Sequence, residues 1–343
     1  MSPGAPLVSI LVPSFDAARY LPELCSSFQA QSYANFEVLI LDDGSADETN
    51  TALAPFRNDS RFRTFGWTPN RGVNAATSAL LGLMKGDYWC NPGADDVLLP
   101  DFLARRVEWM ESNRNAVIVH GPPQFIDSSG QPTDRPESRL DLPLRLPGPR
   151  ALAVLLQHNV IGTTSVMARS SLTRLVLHLF LRDWKYAQDW FLWILHAATG
   201  FDLLWDNQPL HKYRVHELSL SLEPRLTAIR RAETRLVPLC ALSAAAGLSP
   251  LAAPLWANWR KALYRLWLLR AAKMRRQGVL QPDWLQTAAD AYYGKRTRHV
   301  SLAGELCRHG LGMLLAAFNE SRALKTQTFR VSGLAQINDP IFR

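Results

Sequence analysis

The sequence predicts a doubly wound α/β sheet followed by a helical extension. Three observations carry this expectation. Short apolar, β-branched runs alternate with segments of helical spacing. Polar and acidic residues cluster directly after successive runs. Near residue 224 the pattern changes to long stretches rich in Ala, Leu, Trp and Arg.

Val8 to Val12 (V-S-I-L-V) has the composition of a buried parallel strand, closed by Pro13. Residues 17–30 place Leu21, Leu24, Cys25 and Phe28 on one helical face. Phe36 to Leu41 is a second apolar run, stopped by Asp42-Asp43-Gly44-Ser45, and a helix starts near Asp47 with Thr49 to Phe56 as its body. A strand over Arg61 to Phe65 leads to the turn Thr68-Pro69-Asn70-Arg71-Gly72 and a helix over 73–84. Tyr88 to Cys90 forms the next strand, ended by Asn91-Pro92-Gly93. Residues 121–149, rich in Pro, Gly, Ser and Asp, read as a loop over one face. Helix and strand signals return at 150–170 and in the aromatic-rich segment 183–196.

Composition narrows the class. A chain of 343 residues exceeds a single core, and its 47% hydrophobic content excludes a disordered protein. From Arg225 onward there are 19 Lys/Arg against 6 Asp/Glu, which leaves 19 against 24 for residues 1–224. The net charge of +8 therefore belongs to the C-terminal third. Cys25, Cys90, Cys240 and Cys307 are widely spaced without a C-x-x-C pair, as expected of reduced thiols rather than a disulfide framework or zinc site. No basic-then-apolar leader and no run of 18 apolar residues is found, so a cytoplasmic location is expected. Any membrane contact would be peripheral, on the inner face of the cytoplasmic membrane.

Ligands of open α/β sheets bind beyond the carboxyl ends of the strands. Asp16, Asp42-Asp43, Asn70-Arg71 and Asp95-Asp96 follow four successive strands. A single Asp after a strand is more often a turn former or helix cap. Four such exits on one sheet edge point to a ligand site.

The stretches V-S-I-L-V-P-S-F-D-A-A-R-Y-L and F-E-V-L-I-L-D-D-G-S-A-D-E-T are followed in order by N-R-G-V-N-A-A, G-D-Y-W-C-N-P-G-A-D-D-V-L-L-P, Q-D-W-F-L-W-I and Y-R-V-H-E-L-S-L-S. Together they resemble the inverting glycosyltransferases of family 2, over roughly residues 7–221. The resemblance implies a GT-A fold, a Rossmann-like, doubly wound mixed sheet with helices on both faces. It divides the chain into a GT-A domain at 1–224 and a basic α-helical region at 225–343. It also implies a nucleotide-sugar donor, with UDP the expected nucleotide, and a glycan or lipid-linked glycan acceptor.

The resemblance assigns roles residue by residue. Pro13, Phe15 and Asp16 would line the nucleotide pocket, and Asp43 would accept from the base N–H. Asp42 would shape the turn. Asn70 and Arg71 would meet the base or the diphosphate. Asp95, Asp96 and His216 would hold Mn²⁺ or Mg²⁺, which neutralises the leaving diphosphate, and Asp95 would also touch the donor. Arg214 and Ser219 would reach phosphate. Asp189 would be the general base, and it also stands where it would cap the helix W-F-L-W-I-L-H. The chain departs from the family pattern twice: Gly93 replaces the first acid of D-x-D-D, and Gln188 replaces the acid before Asp189.

Residues 255–276 hold seven basic residues and no acid, with Trp256, Trp259, Leu263, Leu266 and Trp267 at helical spacing. Such a helix suits either an anionic membrane surface or packing on the catalytic domain. No nucleic-acid motif accompanies the charge. Two other functions compete. A sugar nucleotidyltransferase would need a Gly-rich basic loop where Pro13-Ser14-Phe15-Asp16 stands. A non-catalytic nucleotide-sugar-binding protein would accommodate Gly93 and Gln188.

Overall fold

A computed structural model describes residues 4–133, 144–179, 184, 186–217, 219, 227–246, 250 and 252–254. The chain divides into two compact units, Met1–Glu233 and Thr234–Arg343. The expected boundary at residue 224 and the cationic segment 255–276 lie outside the described residues.

In the first unit the order is β1 (Val8–Ser14), α1 (Leu21–Gln29), β2 (Phe36–Asp42), α2 (Thr49–Leu53), β3 (Phe62–Gly66), α3 (Val73–Leu83), β4 (Tyr88–Cys90), β5 (Val97–Leu98) and α4 (Phe102–Ser112). Then come β6 (Ala116–His120), β7 (Gln124–Ile126), β8 (Arg145–Leu146), α5 (Gly148–Leu155), β9 (Met167–Arg169), α6 (Ser170–Val176), α7 (Gln188–Ala198), β10 (Asp202–Trp205) and β11 (His211–Arg214). Helix α8 spans Thr227–Ala245, and in the second unit Val237, Cys240, Ala241 and Leu242 are buried.

Eight strands form one mixed sheet in the order β3-β2-β1-β4-β9-β6-β10-β8, and β5-β11-β7 form a second, small sheet. Strands β3, β2, β1 and β4 are mutually parallel, so their carboxyl ends share one edge. Strand β9 runs antiparallel to both β4 and β6. This is the mixed α/β architecture of the GT-A fold.

The local chemistry explains the elements. Strand β1 is buried along nearly its whole length, which is why it reads as a continuous apolar run rather than an alternation. It continues through Pro13 to Ser14, in register with Leu41 and Asp42, instead of stopping at the proline. β4 pairs only with Val8 to Ile10, so beyond Ile10 one flank of β1 is open and a missing N–H is tolerated. Helix α1 has Pro22 in its first turn and buries Leu21, Leu24, Cys25 and Phe28. Helix α7 is buried on almost every side, with the Trp193 ring stacked on Trp89 at 6.0 Å.

The reading of 121–149 as a loop needs correction. It contains β7 and β8, and α5 begins at Gly148. β7 is parallel to β11, some 80 residues later in the chain, and β8 is antiparallel to β10. Such non-local ladders satisfy backbone groups in segments whose composition favours turns. Among the described residues no helix is long and apolar enough to cross a membrane, Cys25 and Cys90 are free and buried, and Cys240 is buried; Cys307 lies outside the described residues.

Gly148 is set by close approach. A Cβ there would lie 2.1 Å from the Gly200 carbonyl oxygen, a backbone atom that cannot swing away. Gly148→Ala is expected to lower stability by about 1–3 kcal/mol, the usual cost of overpacking a tight contact. A urea unfolding midpoint unchanged from the parent would contradict this packing.

Candidate active site

The four parallel strands deliver their polar exits side by side, and hydrogen bonds stitch those exits together. Asp16, in a left-handed conformation (φ 46°), accepts from the Ala46 N–H at 2.8 Å, while its own N–H donates to Ser45 Oγ. Asp42 accepts from the N–H and hydroxyl of Ser45, closing the turn after β2. Asp47 ties the same loop back to β1 by accepting from the Ala18 N–H.

Asp43 is buried and accepts through both carboxylate oxygens. One oxygen accepts from the Arg71 N–H at 2.7 Å and from the Trp67 indole, and the other accepts from the Gly72 N–H at 2.7 Å. A carboxylate accepting three N–H groups shapes the loop after β3 before any base arrives. Asn70 Oδ1 also accepts from Gly72 N–H, and the exposed Arg71 guanidinium lies over the Trp67 ring at 4.6 Å. Of the expected nucleotide contacts, Phe15, Asp16, Asn70 and Arg71 are exposed, Phe15 with 49% of its surface; Pro13 is half-buried within β1.

The exit of β4 holds Asp95 and Asp96, which differ sharply. Asp96 is buried and accepts from the N–H groups of Gly93 (3.1 Å) and Arg214 (3.0 Å). Burial first, and then the neighbouring Asp95 charge, push its carboxyl well above the usual carboxylate range. Asp95 instead faces His216, with Oδ2 and Nε2 2.8 Å apart and both side chains partly exposed. The expected ligand trio is therefore split, with Asp95 and His216 together and Asp96 turned onto backbone. Among the described residues no group of three or more His, Cys, Asp or Glu is gathered for a metal.

The pair Asp95–His216 nonetheless fits a hard divalent ion in its donor chemistry. Adjacent corners of an octahedron with bonds of about 2.1 Å are about 3 Å apart, close to the observed separation. Such ions commonly take few protein ligands and complete their shell with phosphate oxygens and water. Gly93 fits this loop: a Cβ there would fall 2.6 Å from Asp95 Oδ1, so an acid at this position would displace the carboxylates behind it.

Arg214 does not reach outward for phosphate. It is buried, and its guanidinium donates to the Asp95 carbonyl (2.7 Å), the Asp127 carbonyl (3.1 Å) and Glu23 Oε2 (2.5 Å). The Tyr20 ring packs under both Arg214, at 4.8 Å, and His216, at 5.1 Å. Ser219 Oγ accepts from the His216 N–H and so fixes the turn.

Asp189 stands in the first turn of α7. Its Oδ2 accepts from Thr163 Oγ1 at 2.7 Å and from Asn159 Nδ2 at 3.3 Å, and its Oδ1 accepts from the Trp190 N–H. Burial raises its pKa, against the lowering effect of these donors. The result is a carboxylate that is oriented and also made more basic. Gln188 beside it is buried, and its Nε2 has no partner among the described residues. Thr163, Asn159, Trp67, Tyr20 and Glu23 were not assigned contacts by the sequence.

A family model described as glycosyl transferase family 2 matches residues 9–175, which includes all four strand exits. The chain belongs to glycosyltransferase family 2. It is 28% identical over 220 residues to an uncharacterised glycosyltransferase of Rickettsia prowazekii (strain Madrid E), covering 62% of this chain and 65% of that one. It thus spans about two thirds of that relative's length. It is 27% identical over 224 residues to the putative teichuronic acid biosynthesis glycosyltransferase TuaG of Bacillus subtilis (strain 168), covering 64% and 84%. The fold matches S. aureus TarS 1–349 in complex with UDP-GlcNAc, with a TM-score of 0.59 at 14% identity and coverage of 98% and 99%. It also matches the mannosyltransferase PcManGT of Pyrobaculum calidifontis in complex with GDP-Man and Mn²⁺, with a TM-score of 0.50 at 18% identity and coverage of 92% and 87%.

Asp43→Asn tests the bracing of the loop after β3. An amide cannot accept from both flanking N–H groups, so stability should fall by about 1.5–3 kcal/mol, the scale of a hydrogen bond to a charged group. Thermal unfolding within a degree of the parent would show that the loop does not depend on Asp43.

Proposed function

We propose that this protein is an inverting glycosyltransferase that moves a sugar from a UDP-linked donor to a hydroxyl of a glycan or lipid-linked glycan. The observation that carries this reading is Asp189, a part-buried carboxylate held by Thr163 and Asn159 with raised basicity. Inversion requires one group to take the acceptor proton as the hydroxyl oxygen attacks the anomeric carbon. In that step the O–H proton passes to Asp189, the new C–O bond forms, and the bond to the diphosphate oxygen breaks on the opposite face. The nucleoside diphosphate leaves with the electron pair.

On the donor side, Phe15 offers an open aromatic face at the end of β1. The Asp43-braced loop offers Asn70 and Arg71 beside it. Asp95 and His216 would hold Mn²⁺ or Mg²⁺, which when bound neutralises charge on the departing diphosphate. The proposed nucleotide and acceptor class draw support from the UDP-GlcNAc bound to TarS and from the similarity to TuaG, a putative teichuronic acid biosynthesis glycosyltransferase. The proposed donor sugar is a hexose or an N-acetylhexosamine. The division into a catalytic 1–224 and a basic 225–343 remains part of this proposal, as does peripheral contact of 255–276 with anionic membrane. Equal flotation on anionic liposomes with and without residues 255–276 would reject that contact.

A second reading, a binding protein without turnover, is favoured by Gln188 and Gly93, where the family pattern has acids. Calorimetry with UDP, GDP and Mn²⁺, combined with donor turnover, separates the two. Nucleotide binding without hydrolysis or transfer for any nucleotide sugar tried would support the second.

Asp189→Asn should retain nucleotide binding and lose about 10²–10⁴-fold in transfer rate. The base must be ionised to act and its pKa is raised. The acid limb of the kcat/KM profile should therefore lie above the pKa of about 3.9 of an ordinary aspartate. Full turnover by the variant, or an acid limb at or below that value, would refute the assignment.

A further inference from the structure

A buried polar cluster around Arg106 and Asp206 is not used directly by the proposed reaction. Arg106, on the core-facing side of α4, is fully buried and donates from Nη1 to the equally buried Asp206 at 3.1 Å. Arg105 holds the same carboxylate through two further bonds, at 2.7 and 2.9 Å. Gly121 makes room for this pair: a Cβ there would lie 2.3 Å from the Asp206 carbonyl oxygen and 2.8 Å from Arg106 Nη2. His120, at the end of β6, and His211, at the start of β11, are buried near the guanidinium. Burial first, and then the Arg106 charge, push both imidazoles down to about 3, so both are neutral at ordinary pH. The Nδ1 atoms of His120 and His211 and the Nε and Nη2 atoms of Arg106 make no hydrogen bond with the described residues.

Among the described residues, the His211 ring bonds to Thr164 Oγ1 through Nε2, at 3.0 Å. Thr164 is the middle residue of the 3-10 turn Thr163–Ser165, and all three hydroxyls of that turn are engaged. Thr163 donates to Asp189 Oδ2 at 2.7 Å. Ser165 Oγ donates to the Gly162 carbonyl at 2.8 Å and accepts from the Gly121 N–H at 3.4 Å. A three-residue turn pinned at three consecutive side chains has little freedom to slide or roll.

We infer that His211 is a positioning residue for sugar transfer, holding Thr164 so that the Thr163 hydroxyl stays aimed at Asp189. This rests on the reading of Asp189 as the base. The buried Arg106–Asp206 pair sets the environment of His211, and a neutral imidazole in that environment has a single N–H to place. Asp189 itself faces Thr163, Asn159 and the Trp190 N–H. Loss of the Thr163 bond would remove one of the donors that favour its ionised form.

The test compares Thr164→Val, which removes the hydroxyl at nearly constant shape, with His211→Leu and with His211→Gln, which keeps an N–H donor near the Nε2 position. Thr164→Val and His211→Leu should each lower kcat by about tenfold and move the acid limb of kcat/KM upward by about one pH unit. Affinity for UDP, measured by calorimetry, should stay within about twofold of the parent, because the nucleotide loops lie at other strand exits. His211→Gln should recover most of the rate. If His211→Leu does not fold, Thr164→Val decides alone. A folded Thr164→Val protein with parental kcat and an unmoved acid limb would overturn the positioning role. Asp189→Asn is run beside it. If that variant keeps full turnover, the base reading fails and the role of His211 falls with it. If it loses turnover while Thr164→Val is unaffected, only the role of His211 fails.

Discussion

The site depends on satisfying one buried cation. A guanidinium out of water must find acceptors for its donors or cost several kcal/mol, and Arg214 finds them in three different places. It takes the Asp95 carbonyl after β4, the Asp127 carbonyl after β7 and the Glu23 carboxylate on α1, while its own N–H serves Asp96. Parts of the chain far apart in sequence are thereby fixed to the end of one four-residue strand. The partly exposed Asp95–His216 pair sits on this frame, because Arg214 holds the backbone of the first and lies two residues before the second. At the other end of the same strand, His211 reaches the turn that orients Asp189. β11 is thus a short spacer between the two halves of the proposed chemistry.

A division of labour among the carboxylates follows. Asp16, Asp42, Asp43 and Asp96 accept mainly from backbone N–H groups, with help from Ser45 and the Trp67 indole, and build the loops at the strand exits. Asp95 and Asp189 are instead held through side chains, Asp189 with one added bond from the Trp190 N–H. Asp95 faces an imidazole in a partly open position, and Asp189 is oriented by two side chains while burial raises its basicity. Backbone-bound carboxylates hold loops at little entropic cost. Carboxylates held by side chains can change partners during a reaction, so the two kinds are suited to different tasks.

Much of this was legible in the chain itself. Apolar runs at Val8 to Val12 and Phe36 to Leu41 become buried strands because a parallel sheet covered on both faces demands continuous hydrophobicity. The spacing of Leu21, Leu24, Cys25 and Phe28 becomes the buried face of α1. Strand exits could be read because parallel strands necessarily place their carboxyl ends on one edge. Residues 121–149 were misread because β7 and β8 are stabilised by partners distant in sequence, and local composition carries no trace of that pairing. Arg106 was invisible for a related reason. It occupies a core-facing position of α4 that helical spacing alone would give to an apolar residue, and it is tolerated only because Asp206 arrives there from the loop after β10.

By itself, then, the sequence determined the alternation of elements, the edge on which polar residues gather, and the family. These depend on periodicity and on short motifs, which are local properties. Tertiary structure alone decided which carboxylate is free and which is spent. It turned Asp96 inward and left Asp95 facing His216, buried Arg214 among carbonyls, and brought Thr163 and Asn159 to Asp189. Whether a polar atom is available for chemistry depends on every other polar atom that folding brings within 3 Å, and that sum is set in space rather than along the chain.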